Sequence, residues 1–90
     1  MQIIWEQGAI SDLTEMRAYI AQFNPIAADK LGHKIIETAN LLKDNPTLGK
    51  AGRLYETREL VIPNTSYTLI YCVDSQTISI LRVFHHSRKW

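Results

Sequence analysis

The stretch from Tyr67 to Trp90 constrains the fold of this chain more than any other. Residues 67–73 and 77–84 are rich in β-branched, aromatic and aliphatic side chains, and a turn-forming Asp-Ser-Gln separates them. This pattern predicts a β-hairpin. The first run is apolar at both odd and even positions, which is typical of a central strand. Strict alternation in the second run places Ile80 and Arg82 on one face and Val83 and His85 on the other.

The first half of the chain predicts one strand followed by two helices. Residues 2–5 are a short apolar run, and Gly8 is expected to separate this strand from the first helix. The Asn24-Pro25 pair combines an N-cap residue with a first-turn proline, so we expect a second helix from there to about Lys43. Gly32 within it indicates a close approach of the two helices. Their apolar stripes are Ala9, Leu13, Met16, Ile20 and Phe23, and then Ala28, Leu31, Ile35, Ala39 and Leu42.

Between the helices and the hairpin lies a predicted loop, residues 44–52, with Gly49 and Gly52 expected in left-handed turn positions. Strand character resumes from Arg53. The order strand-helix-helix-strand-strand-strand predicts a single α+β domain over residues 1–90. Its helical hairpin should cover one face of a small, mainly antiparallel sheet. We expect Arg58 and Arg82 to point from the other, partly open face.

Composition excludes several classes of protein. The chain contains no run of about 18 apolar residues that could span a membrane, and its N-terminus lacks the features of a signal peptide, so we expect a cytoplasmic protein. The net charge of +1 is divided into −1 over residues 1–52 and +2 over residues 53–90. That imbalance is weak support for nucleic-acid binding. The single cysteine, Cys72, is expected to be a buried thiol. No metal-ligand spacing or phosphate-binding loop occurs, so we expect no metal and no cofactor.

The basic end of the chain carries the residues most suited to chemistry. Cleavage of RNA by its own 2′-hydroxyl needs a base with a pKa near neutrality and cations for the developing charge. His85 and His86 lie beside Arg82 and Arg88, and Arg58 is a candidate to face them from another strand. Two observations oppose this hypothesis. Adjacent strand residues point to opposite faces, and a net charge of +1 suits RNA binding poorly.

Arg82 is also open to a structural interpretation. It is flanked by Leu81 and Val83 in an apolar strand, so its guanidinium must reach solvent or a carboxylate. Glu59 is the expected partner. The terminal Trp90 is an aromatic residue beside two cations, a composition typical of interaction sites.

Several short sequence motifs occur along the chain, and their order and spacing are informative. They are Asn24-Pro25 followed by Ala27-Ala28, Asn45-Pro46 with Gly49 soon after, Gly52-Arg53, Thr57-Arg58-Glu59-Leu60, Tyr67 to Tyr71, and Ile80-Leu81-Arg82-Val83 followed by His85, Arg88 and Trp90. With the order of elements, they resemble the RelE/ParE toxin superfamily over nearly the whole chain. No single motif is specific for this superfamily, but the order and spacing of the motifs together are.

The resemblance implies the toxin of a bacterial type II toxin–antitoxin system, bound by a cognate antitoxin in a hetero-oligomer. ParE-like members poison DNA gyrase and have no established catalytic residues, whereas RelE-like members cut mRNA in the ribosomal A site. The Asn24-Pro25 hairpin and the ending after residues 80–83 are more similar to ParE-type members. The alternatives are an mRNA interferase and an inactive homologue that only binds antitoxin.

The residues at the basic end of the chain, together with Arg58, are the candidates for these roles. If the chain is a ribonuclease, the catalytic residues would be His85, Arg58 and Arg82. Under either mechanism, the residues expected to contact the target or the antitoxin are Arg58, Arg82, His85, His86, Arg88 and Trp90. The antitoxin is expected to be acidic and to add a helix to the groove beside the helical hairpin, or a strand to a sheet edge.

Overall fold

The computed structural model describes residues 1–87 and contains the predicted elements in the predicted order, with one addition. The elements are β1 (Gln2–Trp5), α1 (Gln7–Ala21), α2 (Pro25–Asn40), a 3₁₀ turn (Leu41–Lys43), β2 (Lys50–Ala51), β3 (Arg58–Val61), β4 (Tyr67–Val73) and β5 (Thr77–His85). The addition is β2, which lies within the predicted loop and pairs with β3. Residues 52–57 form the loop between β2 and β3, so β3 begins at Arg58 instead of the expected Arg53. No helix in this part of the chain is both long and apolar enough to cross a membrane.

The five strands form one mixed sheet in the order β1-β5-β4-β3-β2. β1 runs parallel to β5, and the other neighbours are antiparallel. The central position of β4 and the α+β class with a mainly antiparallel sheet are both confirmed. The core lies between the sheet and the two helices, and its largest fully buried side chains include Tyr71, Ile35, Leu42, Ile62, Leu69, Ile78 and Ile80.

The boundary between the helices follows the sequence signal. The Asn24 side-chain oxygen accepts a hydrogen bond from the Ala27 backbone N–H at 3.0 Å, and Pro25 is the first residue of α2. The expected close approach at Gly32 is confirmed, because a Cβ there would lie 3.3 Å from Cδ of Arg17 on α1. α2 itself ends at Asn40, and the 3₁₀ turn then carries the chain to Lys43.

Two predictions about α1 are wrong. Gly8 does not separate β1 from the helix but lies in its first turn. A Cβ there would be 3.0 Å from Cδ of Arg82 and 3.1 Å from the Leu81 carbonyl oxygen, so glycine allows α1 to approach β5. Phe23 is not a core residue. α1 ends at Ala21, and the Phe23 side chain is 75% exposed, in edge contact with Tyr19.

The expected left-handed glycines are also wrong. Neither Gly49 nor Gly52 has a positive φ, and the left-handed positions within residues 1–87 belong to Glu56 (φ 60°) and Asn64 (φ 61°). Gly49 is required for a different reason. A Cβ at that position would lie 2.7 Å from the hydroxyl oxygen of Tyr71. Close packing, rather than a special dihedral angle, therefore excludes a side chain.

A β-bulge changes the faces of β5. Ile70 pairs with Arg82 but Tyr71 pairs with Ile80, so Leu81 is an extra residue in β5. The predicted alternation therefore fails after Ile80. Val83 instead continues the buried row begun by Ile78 and Ile80. Cys72, expected to be buried, is half-buried.

Candidate functional site

An open cleft of about 540 Å³ lies between α1 and the C-terminal end of β5. It exists because β1 is much shorter than β5. Beyond Trp5, the Glu6 N–H still donates to the Ile80 carbonyl at 3.0 Å, and the chain then turns into α1. The remainder of β5 consequently has a helix beside it instead of a strand. The cleft is lined by Asp12, Glu15, Met16, Tyr19, Tyr67, Val83, His85 and Ser87.

Asp12 joins α1 to the uncovered part of β5. Its carboxylate accepts hydrogen bonds from Arg82 Nε at 2.7 Å, from Arg82 Nη2 at 2.9 Å and from the Val83 backbone N–H at 2.9 Å. The Asp12 side chain is 9% exposed, whereas that of Arg82 is 52% exposed. Hydrogen bonding and the charge of Asp12 raise the pKa of the Arg82 guanidinium. The Asp12 carboxylate thus accepts the Val83 N–H, which a neighbouring strand would otherwise bind at this edge of β5.

The expected pairing of Arg82 with Glu59 is wrong. The Glu59 carboxylate instead accepts the backbone N–H of Arg53 at 2.9 Å. In the sheet register Glu59 pairs with Ile70, which in turn pairs with Arg82. The bidentate geometry that Asp12 offers is the preferred one for a guanidinium.

His85 forms part of the wall of the cleft. Its Nδ1 accepts the Ser87 backbone N–H at 3.1 Å and lies 2.6 Å from the Ser87 hydroxyl oxygen. The ring packs edge-on against Tyr67, with 4.8 Å between the ring centroids. His86 follows the end of β5, so the alternation of side chains within a strand no longer applies to it. Its Nε2 lies 2.7 Å from the hydroxyl oxygen of Thr68.

Arg58 lies far from this cleft. It pairs with Tyr71 on β4, whereas His85 pairs with Tyr67, four residues or about 13 Å further along that strand. β4 also separates β3 from β5. Arg58 shares a face with the buried Tyr71, not the open face that was expected, and its Nη1 donates to the Gly49 carbonyl at 2.7 Å. The structure therefore does not bring Arg58, Arg82 and His85 together. Arg88 and Trp90 lie outside the described residues.

A buried tyrosine explains the position of Arg58. The Tyr71 hydroxyl accepts the Gly49 N–H at 2.8 Å and donates to the Pro46 carbonyl at 2.9 Å. Burial raises the pKa of Tyr71, and the Gly49 hydrogen bond and the Arg58 charge partly offset this effect. Arg58 and Tyr71 together fix the loop between α2 and β2.

The chemical character of the cleft is acidic and aromatic. Two carboxylates and three rings line it, and none of its described lining residues is a lysine or arginine. Within residues 1–87, no three His, Cys, Asp or Glu side chains cluster in a way that could hold a metal ion. Sequence reasoning missed Asp12, Glu15, Tyr19 and Tyr67 as cleft residues. Their positions along the chain gave no signal, because the cleft depends on where β1 ends and where α1 crosses β5.

A second surface feature lies beside the helical hairpin. It is a groove of about 340 Å³ between β1, α1 and α2, lined by Trp5, Ile10, Leu13, Thr14, Arg17 and Ile36. Ile10 and Ile36 are 44% and 42% exposed. The groove is mostly apolar, and its position is the one predicted for antitoxin binding.

Comparison with known proteins places these features in a family. The model of the family described as "ParE toxin of type II toxin-antitoxin system, parDE" matches residues 3–90. The chain is 31% identical over 87 residues to Toxin RelE2 of Caulobacter vibrioides, covering 97% of each protein. It is 34% identical over 89 residues to putative toxin Y4kP of Sinorhizobium fredii, covering 99% of this chain and 92% of that protein.

Solved structures share the fold. The chromosomal ParDE TA system from P. aeruginosa contains a chain with a TM-score of 0.83 and 24% identity, covering 94% of this chain and 95% of that one. The YoeB dimer from Staphylococcus aureus gives a TM-score of 0.66 and 22% identity, with 96% and 97% coverage. The resemblance to the RelE/ParE superfamily is thus confirmed, and the chain belongs to the ParE toxin family of type II toxin–antitoxin systems.

Proposed function

We propose that this toxin arrests growth by binding DNA gyrase, without catalysis of its own. One observation carries the proposal. The cleft that contains His85 has two carboxylates and no cation among its described lining residues. A ribonuclease must hold an RNA phosphate and stabilise additional negative charge as the bond breaks. The Glu15 carboxylate opposes both requirements, and the Asp12 carboxylate is already paired with Arg82, whose charge it offsets.

The engagement of the two arginines supports the same conclusion. Arg82 is bound on two nitrogens by Asp12, and Arg58 donates to the Gly49 carbonyl. Asp12 offsets the charge of Arg82, which weakens the attraction of this guanidinium for a phosphate, and Arg58 lies at a distance from the cleft. A protein target does not depend on phosphate binding.

Cleavage of ribosome-bound mRNA is the second candidate function. It is favoured by the position of His85 in a cleft and by the 31% identity to a protein named Toxin RelE2. This mechanism would use His85 as the base and would need Arg58 and Arg82 to move towards it. The third candidate is an inactive homologue that only binds antitoxin.

The antitoxin partner is assigned to the groove between β1, α1 and α2. The apolar floor of Trp5, Leu13 and the half-exposed Ile10 suits the apolar face of an amphipathic helix. We propose a cytoplasmic hetero-oligomer of toxin and antitoxin.

A gyrase cleavage assay tests the function directly. Purified toxin, gyrase, plasmid DNA and ATP are incubated, and linear DNA is measured after protease treatment. We expect linear DNA to accumulate with wild-type toxin and with His85→Ala to the same extent. The ribonuclease would be established instead by three results together. The purified toxin produces no linear DNA, expression of the wild-type toxin stops protein synthesis in cells, and expression of His85→Ala does not. A wild-type chain that cells tolerate without antitoxin would be an inactive homologue.

A further inference from the structure

The loop between β2 and β3, residues 52–57, presents an aromatic side chain to solvent. Tyr55 is 90% exposed, more than any other large apolar residue in the described part of the chain. Its neighbour Leu54 is 52% exposed. We call these two residues the Leu54–Tyr55 tip. Tyrosine and arginine, here Tyr55 and the nearby Arg53, are among the residue types enriched at the positions from which protein interfaces derive most of their binding energy.

The tip is held in a fixed shape. The Gly52 N–H donates to the Thr57 carbonyl at 2.8 Å, and the Thr57 N–H and hydroxyl donate to the Leu54 carbonyl at 3.1 and 2.7 Å. Glu56 adopts a φ of 60°, which costs a non-glycine residue about 1 kcal/mol or more. A loop that is already ordered loses little conformational entropy when it binds a partner.

The charges around the tip indicate the kind of partner. Residues 50–59 include Lys50, Arg53 and Arg58 against Glu56 and Glu59, which gives a local charge of +1. An acidic protein surface complements this charge. Single-stranded nucleic acid is less suitable, because the tip offers one ring rather than a series of stacking rings.

The position of the tip separates it from the antitoxin groove. β2 lies at one edge of the sheet, and β1, which contributes Trp5 to the groove, lies at the other. Beside the tip is an open hollow of about 540 Å³, lined by residues 51–58 and Val73. A knob of two apolar side chains next to a hollow can interdigitate with a partner surface.

We propose that the Leu54–Tyr55 tip is the surface with which this toxin contacts an acidic patch on its protein target, while the antitoxin occupies the groove at the opposite sheet edge. The assignment of the target to gyrase rests on the proposed function above. The assignment of the tip to the target does not depend on which protein the target is.

Tyr55→Ala tests the tip, with Tyr55→Phe as its matched control. Growth arrest on expression, linear DNA in the gyrase assay, and affinity for the antitoxin encoded beside the toxin are measured for both variants and the wild type. We expect Tyr55→Ala to need at least about tenfold more protein for the same gyrase effect, as is typical of a central interface tyrosine. Its antitoxin affinity should stay within about twofold of the wild-type value. Tyr55→Phe, which keeps the ring, should retain most activity.

Each possible outcome either supports or overturns the proposed role of the Leu54–Tyr55 tip. Equal growth arrest by Tyr55→Ala and wild type would overturn the proposal, as would a parallel loss of antitoxin affinity, which would make the tip an antitoxin contact. If wild type arrests growth without linear DNA, the gyrase assignment fails, and a weaker arrest by Tyr55→Ala still supports the tip. If wild type does not arrest growth, both the toxic function and the tip's role in it are refuted.

Discussion

At the scale of single residues, Asp12 holds together the two elements that form the candidate cleft, α1 and β5. Its carboxylate accepts hydrogen bonds from two guanidinium nitrogens of Arg82 and from the backbone N–H of Val83. These two residues lie 70 and 71 positions after Asp12 in the chain. The Asp12 side chain is almost fully buried, whereas its cationic partner is half-exposed. The interaction therefore combines an ion pair, partly screened by solvent, with the satisfaction of a backbone donor at a sheet edge.

Replacing this carboxylate should destabilise the fold. We expect Asp12→Ala to lower the free energy of unfolding by about 1–3 kcal/mol, because the Val83 N–H loses its acceptor and Arg82 its partner. Urea unfolding measures the change. The control is Asp29→Ala, which removes the Arg17–Asp29 pair, whose two side chains are both more than half exposed, and should cost at most about 1 kcal/mol. Equal losses in the two variants would contradict the special role of Asp12.

Arg58 and Tyr71 both hydrogen-bond to Gly49, which lies apart from each of them in the sequence. The sequence marked Arg58 as a candidate for catalysis or contact, and that role stays a prediction. The structure adds a contact that no local pattern indicates, because its partner, the Gly49 carbonyl, is positioned by the hydroxyl of Tyr71. The three residues come from a loop and two strands. Their association follows from the sheet register.

At the scale of elements, the unequal lengths of β1 and β5 are decisive. β1 covers β5 only from Thr77 to Ile80, and the bulge at Leu81 begins where that pairing ends. The bulge reorients the rest of the strand, so that Val83 is buried under the helices and His85 lies in the cleft. Bulges commonly re-aim side chains next to functional sites in this way.

The turn between β4 and β5 gives a prediction that depends on pH. Asp74 accepts hydrogen bonds from the N–H of Gln76 and from the N–H and hydroxyl of Thr77, which lower the pKa of its carboxyl from the ordinary value of 3.8. A lowered folded-state pKa stabilises the protein above pH of about 4. The contribution is lost as the pH falls through the folded-state value.

We therefore expect Asp74→Ala to unfold at a lower urea concentration than wild type at pH 7. The difference between the two midpoints should shrink as the pH is lowered below about 4, because wild-type Asp74 then becomes protonated. Asp44→Ala, an exposed aspartate outside this turn, serves as the control for general charge effects. A midpoint difference that is independent of pH would mean that the carboxylate form of Asp74 does not stabilise the turn.

At the scale of the whole molecule, the two surfaces that we propose for the partners lie at opposite edges of the sheet. The apolar groove is built on β1 and the helices, and the Leu54–Tyr55 tip projects between β2 and β3. Substitutions should therefore separate neutralisation by antitoxin from toxicity.

Ile10→Glu tests the groove. Ile10 is 44% exposed on the groove wall, so a carboxylate there should leave the fold intact and reduce antitoxin affinity by about tenfold or more, by desolvating a charge in an apolar contact. Growth arrest by the toxin alone should not change. Ile26→Glu, a 69% exposed position outside the residues that line the groove, is the matched control. Unchanged antitoxin affinity in Ile10→Glu would exclude the groove as the antitoxin site.

Features that depend on residues close together in the chain were predictable from the sequence. The period of apolar side chains marked both helices and the β4–β5 hairpin, Asn24-Pro25 marked the junction between helices, and the order of elements indicated the α+β class. These signals are local because helix and strand periodicity and capping act over a few residues.

Contacts between segments that are distant in the chain could be identified only from the three-dimensional structure. The choice of Asp12 rather than Glu59 for Arg82, the bulge at Leu81 and the separation of Arg58 from His85 all depend on strand order, register and the angle at which α1 crosses β5. The same holds for Gly49, whose role is set by Tyr71 rather than by its own dihedral angles. Such contacts depend on how whole elements pack together, and a charge or a glycine read along the chain does not specify which distant group it will meet.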